Sequence, residues 1–478
     1  ENIDAVVVAT VTEKPNLVMY WNGEIIVDLE RAFLDTNGVR VVVDANVVDS
    51  DVNVPEERTT SAATLEADTV AVLSDLNHAS QKGLQTIFDS SVGRSTVNHP
   101  LGGRYQITPI EASVQKLPVQ HGVTNTASVM AQGFNPYIAE WSPYHGAAYA
   151  VIEATARLVA AGANWSKARF SYQEYFQRMD KQADRFGQPV AALLGSIEAQ
   201  IQLGLPSIGG KDSMSGTFEE LTVPPTLVAF GVTTADSRKV LSPEFKAAGE
   251  NIYYIPGQAI SQDIDFDFIK ANFAQFEAIQ KAHHITSASA VKYGGVLEAL
   301  ALATFGNHIG AKVELDELDT CLTAQLGGFI FTSSEEVVGA SKIGQTTTGF
   351  TLVVNNIDID GQKLDNAFQG KLEEIYPTEF EQSKELQEIP AVASNVVLKT
   401  QEKVEQPLVY IPVFPGTNSE YDSAKAFEQA GARVNLVPFV TLNEAAIEAS
   451  VDTMIDNISK ANIIFFAGGF SAADEPDG

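Results

Sequence analysis

Residues 407–439 read PLVYIPVFPGTNSEYDSAKAFEQAGARVNLVPF, in which an apolar run, a turn, a helical stretch and a second apolar run follow one another. Ser419 stands where a helix N-cap is expected, and Gly431 stands where a helix commonly ends in a left-handed residue. A helical stretch at 443–459 and a third apolar run at 462–467 repeat the order. Three strands joined by helical crossovers predict a parallel sheet, the opening half of a flavodoxin-like α/β domain.

A Gly-Gly turn, AGGFS at 467–471, follows the third apolar run directly. Backbone amides at the carboxyl end of a parallel strand lie where ligands bind in such sheets, so this turn is a candidate binding element. We expect both ends of the sequence to lie inside a longer protein, because a strand-like run begins almost at Glu1 and the turn has no partner further along.

The sequence before this domain predicts further helices and strands. An alanine-rich helix is predicted over 144–161, and the stretch 381–407, rich in Glu, Gln and Lys, predicts a helix and a linker. The pair Asn22-Gly23 is typical of a hairpin turn. This pair lies within the second of three strand-like runs, which are residues 4–12, 16–29 and 39–47.

Composition limits the class of protein. A formal net charge of −30 over 478 residues disfavours binding to nucleic acid or to an anionic membrane, because such binding depends on Lys and Arg. No apolar run approaches the roughly 20 residues of a membrane span. A single cysteine excludes an internal disulfide framework and fits a reducing compartment. We therefore expect a cytoplasmic, multidomain protein without nucleic-acid or membrane partners, in which a few local donors could still bind a small phosphorylated ligand.

The stretch GGKDSMSG, from Gly209 to Gly216, places a cation, a carboxylate and two hydroxyls between glycines and predicts a loop. It is not a Walker A loop, because Leu205 and Asp212 stand where that pattern needs a glycine and a hydroxyl residue. Two interpretations stay open from the residues alone: a functional loop, and a polar turn with a solvated lysine.

The histidines and the cysteine predict structural roles. His99 and His145 have no second His or Cys at metal-ligand spacing. Cys321 does not follow the strand and sharp glycine turn that expose a nucleophile, so we expect an inert core thiol. His283 and His284 lie at a polar helix-to-strand junction, where we expect them to be solvated.

Two stretches resemble one family, and they occur in that family's order. The segment IGGKDSMSGTFEELTVPPTLVAFGVTTADSRKVLSP at 208–243 resembles the Gly-Lys-Asp-Ser-Met-Ser region of the large single-chain phosphoribosylformylglycinamidine synthases of purine biosynthesis. The segment FPGTNSEYDSAKAFEQAGARVNLV at 414–437, followed by FFAGGFSAADEPDG at 465–478, resembles the start of their class I glutamine amidotransferase domain. The resemblance covers nearly the whole chain.

The resemblance implies an α/β and α+β multidomain fold, with aminoimidazole ribonucleotide synthetase-like lobes followed by the first part of a flavodoxin-like amidotransferase domain. The implied reaction uses ATP and Mg²⁺ to convert formylglycinamide ribonucleotide and glutamine to formylglycinamidine ribonucleotide and glutamate, with ADP and phosphate as further products. A first synthase half and the remainder of the glutaminase are expected to complete the enzyme. The implied domains are the end of the first-half C-type lobe (1–54), the second-half N-type lobe (55–245), the second-half C-type lobe (246–380), a linker (381–407) and the start of the amidotransferase (408–478).

By resemblance, the backbone amides of Gly468, Gly469 and Phe470 form an oxyanion hole for a thioester-forming cysteine. In the family that cysteine and its His and Glu partners come later, so we expect no glutaminase catalytic residue in this chain. Oxyanion donors without a nucleophile cannot form the thioester, and the chain alone should not hydrolyse glutamine.

The resemblance also implies ATP- and substrate-binding residues in the synthase part. Gly210 would let backbone amides approach phosphate, and Lys211 would neutralise it. Ser213 would bind substrate through a hydrogen bond, while Asp212 would orient Lys211 or help to hold a metal. The NHP sequence that contains His99 imitates a catalytic segment of the family's first half, but its place matches another segment, so no catalytic role is carried over.

One departure from the family concerns an auxiliary magnesium nucleotide site. The stretches QHGVTNTAS, ARLVAAGANWS and SASAVKYGG stand where the large bacterial enzymes carry its carboxylates. His121, Gly162 and Ala290 occupy those positions, so we expect this site to be weakened or lost, and the metal ligands stay unassigned.

Two other functions remain open. The chain could be a non-catalytic scaffold that completes the synthase core and holds the glutaminase. It could also be a stand-alone ATP-dependent kinase of the aminoimidazole ribonucleotide synthetase type, although such a kinase carries no amidotransferase segment.

Overall fold

The computed structural model contains two compact units, one made of residues 1–41, 119–123 and 384–478 and the other of residues 42–118 and 124–383. Among the residues described, no helix is long and apolar enough to cross a membrane. His121, Phe470 and the linker residues 381–402 lie outside the described residues. The described ranges are 6–36, 42–48, 54–55, 57–88, 90–91, 95–119, 122–378 and 403–469.

A β-hairpin lies near the start of the chain. Strands β1 (Asn16–Trp21) and β2 (Glu24–Glu30) pair antiparallel and are followed by α1 (Arg31–Leu34). Asn22 and Gly23 connect the strands with φ angles of 50° and 88°, the positive values that a two-residue type I′ turn requires. The predicted hairpin is therefore confirmed.

The strands predicted on either side of this hairpin are wrong in their described parts, 6–12 and 42–47, which are not in strands. The side chains in both stretches are exposed, including Val7 and Val11. A β-strand needs a pairing strand and a surface on which to bury its side chains. Among the described residues neither run pairs with a strand or buries its side chains, and the Asn46 N–H instead donates to the Ala183 carbonyl over 2.9 Å.

Residues 57–245 contain a mainly antiparallel five-stranded sheet, against which the helix at 143–160 packs. In chain order the elements are α2 (Leu65–Leu73), α3 (Lys82–Gln85), β3 (Leu101–Gly102), β4 (Thr108–Pro109), β5 (Ser113–Lys116), β6 (Thr126–Gly133), α4 (Pro136–Trp141), α5 (Pro143–Ala160), β7 (Arg169–Tyr175), α6 (Ala183–Leu203), β8 (Ser207–Ser213), β9 (Thr217–Phe218), β10 (Leu221–Thr222) and β11 (Thr226–Asp236). The strand order is β5-β6-β11-β7-β8, in which only the β7/β8 pair is parallel.

Helix α5 is the centre of this part, and the helix predicted there is confirmed. The Ser142 side chain caps its start, and Gly162, with a φ of 81°, follows its last turn. Alternate residues of β6, such as Val129, are buried against it. Gly133 of β6 touches the Ala150 carbonyl so closely that a Cβ would collide with it, which fixes how near the helix lies to the sheet.

Residues 246–378 form a seven-stranded sheet of order β14-β17-β12-β18-β15-β19-β20, in which β15 and β19 are the parallel pair. Stacked aromatic side chains fill its core below α7, with the rings of Phe276 and Phe329 centred 4.6 Å apart. The elements are β12 (Asn251–Ile255), β13 (Gln258–Ala259), α7 (Phe266–Ala282), β14 (Ser287–Val291), α8 (Gly295–Phe305), β15 (Gly310–Val313), β16 (Gln325–Leu326), β17 (Gly328–Ser333), β18 (Ser341–Thr347), β19 (Thr351–Val354), β20 (Ile357–Asp360) and α9 (Gly361–Gly370).

The last described part contains the parallel sheet predicted from the opening stretch. Strand β21 pairs in parallel with both β22 and β23, which confirms the two helical crossovers. Ser419 does precede the helix, but its φ is 68° and its side chain makes no capping hydrogen bond. Residues 403–407, the described end of the predicted linker, are not helical. The elements are β21 (Leu408–Val413), α10 (Glu420–Gln429), β22 (Arg433–Pro438), α11 (Glu444–Lys460) and β23 (Ile463–Ile464).

Candidate functional site

The GGKDSMSG stretch is partly a strand, so its prediction as a loop is wrong up to Ser213. Strand β8 includes Gly209 to Ser213 and lies at the end of its sheet, where β7 is its one partner among the described strands. Sequence favoured a loop because Gly, Asp and Ser are poor strand formers. Pairing with β7 overrides that local preference, and the strand displays its polar side chains on an accessible edge.

Lys211 and Ser213 lie together on this strand. The Lys211 ammonium donates a hydrogen bond to Ser213 Oγ over 3.2 Å, and Lys211 is exposed. Within the part of the chain that the structure describes, no ion pair joins Lys211 to Asp212. Orientation of Lys211 by Asp212 is therefore not seen, and the serine hydroxyl is its partner instead. A cation and a hydroxyl side by side can both bind one phosphate or carboxylate group.

The glycines of this stretch allow close contacts between backbone segments. A Cβ on Gly210 would lie 2.6 Å from the Tyr172 carbonyl oxygen, so the close approach of β8 to β7 requires glycine there. The Gly216 N–H donates to the Phe176 carbonyl over 2.9 Å and closes the turn that follows the strand. These contacts position Lys211 and Ser213 on a fixed backbone.

Glu174 is a buried acidic residue beside β8, on the face opposite Lys211 and Ser213, that the sequence reasoning missed. It lies opposite Asp212 in the β7/β8 register and is 6% exposed. Burial above all, and then the charge of Asp212, raise the pKa of Glu174 to about 7. The sequence FSYQEYF does indicate this residue. In a strand, Phe170, Tyr172 and Glu174 lie on the same face, and only Glu174 among them is charged.

The Gly-Gly turn lies directly after the third strand of the parallel sheet. The Asn418 N–H donates to the Gly468 carbonyl over 2.8 Å, and Gly469 forms a bridge with Thr417. A Cβ on Gly469 would collide with the Gly416 carbonyl, so a larger residue does not fit. Among residues 403–469, the N–H groups of Gly468 and Gly469 have no acceptor. The predicted third donor, Phe470, lies outside the described residues.

A second concentration of charge is buried around Ala290, a position where sequence comparison pointed to a lost carboxylate. Glu111, 3% exposed, accepts hydrogen bonds from the Ala290 N–H at 3.3 Å and from the Lys292 ammonium at 2.8 Å. Arg157 Nε lies 3.4 Å from the other Glu111 oxygen, and Arg157 Nη1 lies 3.6 Å from Glu153. Carboxylates are thus present here, supplied by other segments, and two cations of the chain itself neutralise them.

The donor set in this buried centre does not fit Mg²⁺. Glu153 accepts hydrogen bonds from the Phe134 N–H at 2.9 Å and from the Tyr293 hydroxyl at 3.0 Å, and burial raises its pKa. A magnesium ion needs several free oxygen ligands, whereas Glu153 Oε2 is engaged by these donors and the cations of Arg157 and Lys292 already lie against the carboxylates. Within the described ranges, no group of three or more His, Cys, Asp or Glu side chains is placed to hold a metal.

Glu298 extends this buried polar region towards His78. The His78 ring nitrogen Nδ1 lies 2.6 Å from Glu298 Oε1, and the Gly294 N–H donates to Glu298 Oε2 over 2.9 Å. Burial opposes ionisation, but the charge and hydrogen bond of His78, with Lys292 nearby, hold the pKa of Glu298 below its usual value.

The remaining histidines and the cysteine have structural surroundings. His145 is buried, bonded to Ser142 Oγ at 2.8 Å and to the Gln262 carbonyl at 2.9 Å. The expected core position of Cys321 is confirmed, and burial raises the pKa of its thiol to about 12. His284 is exposed as predicted, but His283 is half-buried, with Nδ1 3.5 Å from Glu335.

Sequence comparison gives these features a family context. The family model of the CobB/CobQ-like glutamine amidotransferase domain matches residues 406–478, which contain the parallel sheet and the Gly-Gly turn. The PurL subunit of phosphoribosylformylglycinamidine synthase from Thermococcus sibiricus is 24% identical over 343 residues, covering 66% of this chain and 44% of that protein. The Zymomonas mobilis subunit is 24% identical over 421 residues, covering 78% and 54%.

The chain is related to phosphoribosylformylglycinamidine synthases. The resemblance read from the two motifs is thereby confirmed, and so is the fold class, with synthase-type α/β lobes followed by an amidotransferase segment. The chain spans about half the length of the curated synthase subunits that it matches.

Solved structures show weaker likeness over the same part. Thermotoga maritima PurL complexed with ATP aligns with a TM-score of 0.48 and 14% identity, covering 70% of this chain and 49% of that one. Thiamine monophosphate kinase from Aquifex aeolicus aligns with a TM-score of 0.37 and 12% identity, covering 52% and 92%.

Proposed function

We propose that the native protein is a glutamine-dependent ligase of purine biosynthesis. It would use ATP to convert formylglycinamide ribonucleotide to formylglycinamidine ribonucleotide, with nitrogen from glutamine. The observation that carries the proposal is the pairing of a synthase-type segment, with Lys211 and Ser213 accessible on β8, and an amidotransferase segment in the same chain. Each part alone would fit several activities, whereas the two together fit an ammonia-consuming synthase.

In this proposal β8 binds the phosphorylated substrate or nucleotide. Lys211 neutralises phosphate charge, Ser213 donates or accepts a hydrogen bond, and Gly210 keeps the backbone accessible. Bound ATP would supply the phosphoryl group that activates the amide oxygen for displacement. Asp212 and Glu174 face the other side of the sheet from Lys211 and Ser213, because side chains alternate along a strand, and the raised pKa of Glu174 makes it a carboxyl that can carry a proton near neutral pH.

The Gly-Gly turn would act in the glutaminase part. The N–H groups of Gly468, Gly469 and Phe470 would stabilise the oxyanion that forms when a cysteine attacks glutamine. Cys321 is the one cysteine of the 478 residues, and it is buried with a raised pKa. We therefore propose that these residues alone do not release glutamate from glutamine.

The buried centre around Glu111 favours one alternative for part of the chain. Because Arg157 and Lys292 already neutralise its carboxylates, we propose that it holds no magnesium nucleotide and acts as a structural core. If β8 also proves inert, the scaffold function would replace the catalytic one. The amidotransferase segment argues against a stand-alone kinase.

Substitution of Lys211 in the native enzyme tests the proposal, with ammonium chloride in place of glutamine. Lys211→Ala should lower the synthase kcat/KM about 10- to 100-fold, because a charge-assisted contact contributes about 1.5 to 3 kcal/mol. Ser213→Ala should mainly raise KM for the formylglycinamide substrate. Lys312→Ala, at another exposed lysine in a strand, is the matched control and should not change either value. Wild-type kinetics in both folded β8 variants would reject catalysis at this strand.

A further inference from the structure

A cavity of about 1150 Å³ lies beside the first residues of β6 and the last residues of β11. Its lining is unusual for a chain with a formal charge of −30. The acidic side chains in the lining are Asp236 and Glu277, and the imidazoles of His283 and His284 also line it. The lysines and arginine of the lining are Lys167, Arg238, Lys239, Lys246 and Lys281.

Local ion pairs account for only part of this positive charge. Arg238 pairs with Asp236 at 2.6 Å, and Lys281 pairs with Glu277 at 2.7 Å. The hydrogen bonds from Arg238 lower the pKa of Asp236 to about 2, so this carboxylate is already fully engaged.

The remaining lysines leave the balance positive. Lys246 pairs with Glu244. Neither Lys167 nor Lys239 has an ion pair within 4.0 Å in the part of the chain that the structure describes. A surplus of positive charge at a concave surface raises the local concentration of anions.

The frame that carries these lysines is preformed. The Lys239 N–H donates to the Asp236 carbonyl over 2.9 Å, which closes a tight turn. Gly162 packs on this turn, and a Cβ there would lie 2.9 Å from the Lys239 carbonyl oxygen. Thr233 Oγ1 donates to the Asn164 carbonyl over 2.8 Å and joins the end of the α5 region to β11. Ligand binding would therefore not lose free energy by ordering these segments.

This cavity is separate from the site on β8. Lys167 comes just before the start of β7, whereas Lys211 to Ser213 pair with the far end of β7, at Gln173 to Tyr175. A strand of this length spans about 20 Å, so the two sites lie towards opposite ends of β7.

We propose that this cavity binds a small phosphorylated polyanion with two or more phosphate groups. Its cations come from separate segments, before β7, after β11 and at the end of α7, so they can contact more than one phosphate. Its size suits a metabolite or nucleotide better than an extended macromolecule. The proposal does not depend on the synthase activity.

Calorimetric titration of the full chain with inorganic tripolyphosphate at low ionic strength tests this site. We expect saturable binding of one molecule per chain. Lys239→Gln and Lys281→Gln should each weaken it about five- to tenfold, since each removes one charged contact at a partly exposed site. Lys312→Gln, outside the cavity, should leave the affinity unchanged.

Three results would overturn the proposal. One is the absence of saturable binding, and another is an equal effect of the Lys239 variant and the Lys312 control. A third is loss of binding in Lys211→Ala, which would locate the tripolyphosphate on β8. Displacement of tripolyphosphate by a hexaglutamate peptide at a lower concentration than by ADP would also overturn the proposal. The ligand would then be an acidic protein segment and not a small molecule. Displacement by ADP at the lower concentration supports the proposal.

Discussion

The buried centre around Glu111 and the accessible strand β8 contain the same kinds of side chains in opposite arrangements. In the centre, Arg157 and Lys292 lie against the carboxylates, and hydrogen bonds engage Glu111 Oε1 and Glu153 Oε2. On β8, Lys211 contacts a neutral hydroxyl while Asp212 stands beside the buried Glu174. The difference teaches that charge count alone does not identify a site. A set of charges that is neutralised internally holds a fold together, whereas one that is not remains available to a ligand.

The largest expected effect comes from breaking the buried centre. Lys292→Met should lower the free energy of unfolding by about 3 kcal/mol, because it leaves Glu111 buried with only the more distant Arg157 as a charged partner. Urea denaturation measures the change.

A double variant controls this measurement. Glu111→Gln combined with Lys292→Met removes the unpaired charge, so it should recover at least half of the lost stability. If Lys292→Met is as stable as wild type, Lys292 does not neutralise a buried carboxylate. The buried centre and β8 would then not differ in how their charges are paired.

A smaller effect should come from Glu174, through pH. Its folded-state pKa is raised from an ordinary 4.5 to about 7, so the folded protein binds this proton more tightly than the unfolded chain does. The associated stability is present below about pH 4.5 and is lost as pH rises through 7. Relative to wild type, Glu174→Gln should therefore gain about 1 to 2 kcal/mol of stability between about pH 5 and 8, after allowance for screening.

Denaturant titrations of wild type and Glu174→Gln at several pH values follow this difference, with Gln173→Glu as a control for added charge on the other face of β7. A difference between wild type and Glu174→Gln that does not change with pH would mean that Glu174 ionises normally and that β8 has no neighbouring proton carrier.

The smallest effect concerns the stability of Lys211→Ala. The side chain is exposed, and Ser213 is its hydrogen-bond partner among the residues that the structure describes, so the free energy of unfolding should change by less than about 0.5 kcal/mol. Thermal denaturation is sufficient for this comparison. A loss above about 2 kcal/mol would show that Lys211 supports the fold, and reduced synthase activity in the variant would then carry no information about ligand binding.

Sequence predicted those features whose cause is local. Asn22-Gly23 determines a hairpin turn by its backbone preferences, and the alternation of apolar runs and helices around Ser419 determines a parallel sheet. It failed where distant segments decide the outcome. Pairing with β7 turned GGKDS into a strand, whereas the valines at 6–12 have no pairing strand within the described ranges.

The candidate sites divide in the same way. Lys211 and Ser213 were found because they are adjacent in one motif. The buried centre was missed because Glu111, Glu153 and Lys292 come from three segments far apart in the chain. The Gly-Gly turn was found from its position after an apolar run, and its oxyanion role stays a prediction.

The position of β8 at the end of its sheet has a consequence for handling the protein. A strand at a sheet edge is a template for pairing with another molecule, and Ile208 of β8 is 82% exposed. We expect Lys211 and Asp212 to protect this edge, since pairing with an apolar strand would remove both charges from water. Replacing both residues by neutral ones should lower the yield of soluble protein, because the variant aggregates before any ligand is added. The missing protein would then be found in the pellet after centrifugation.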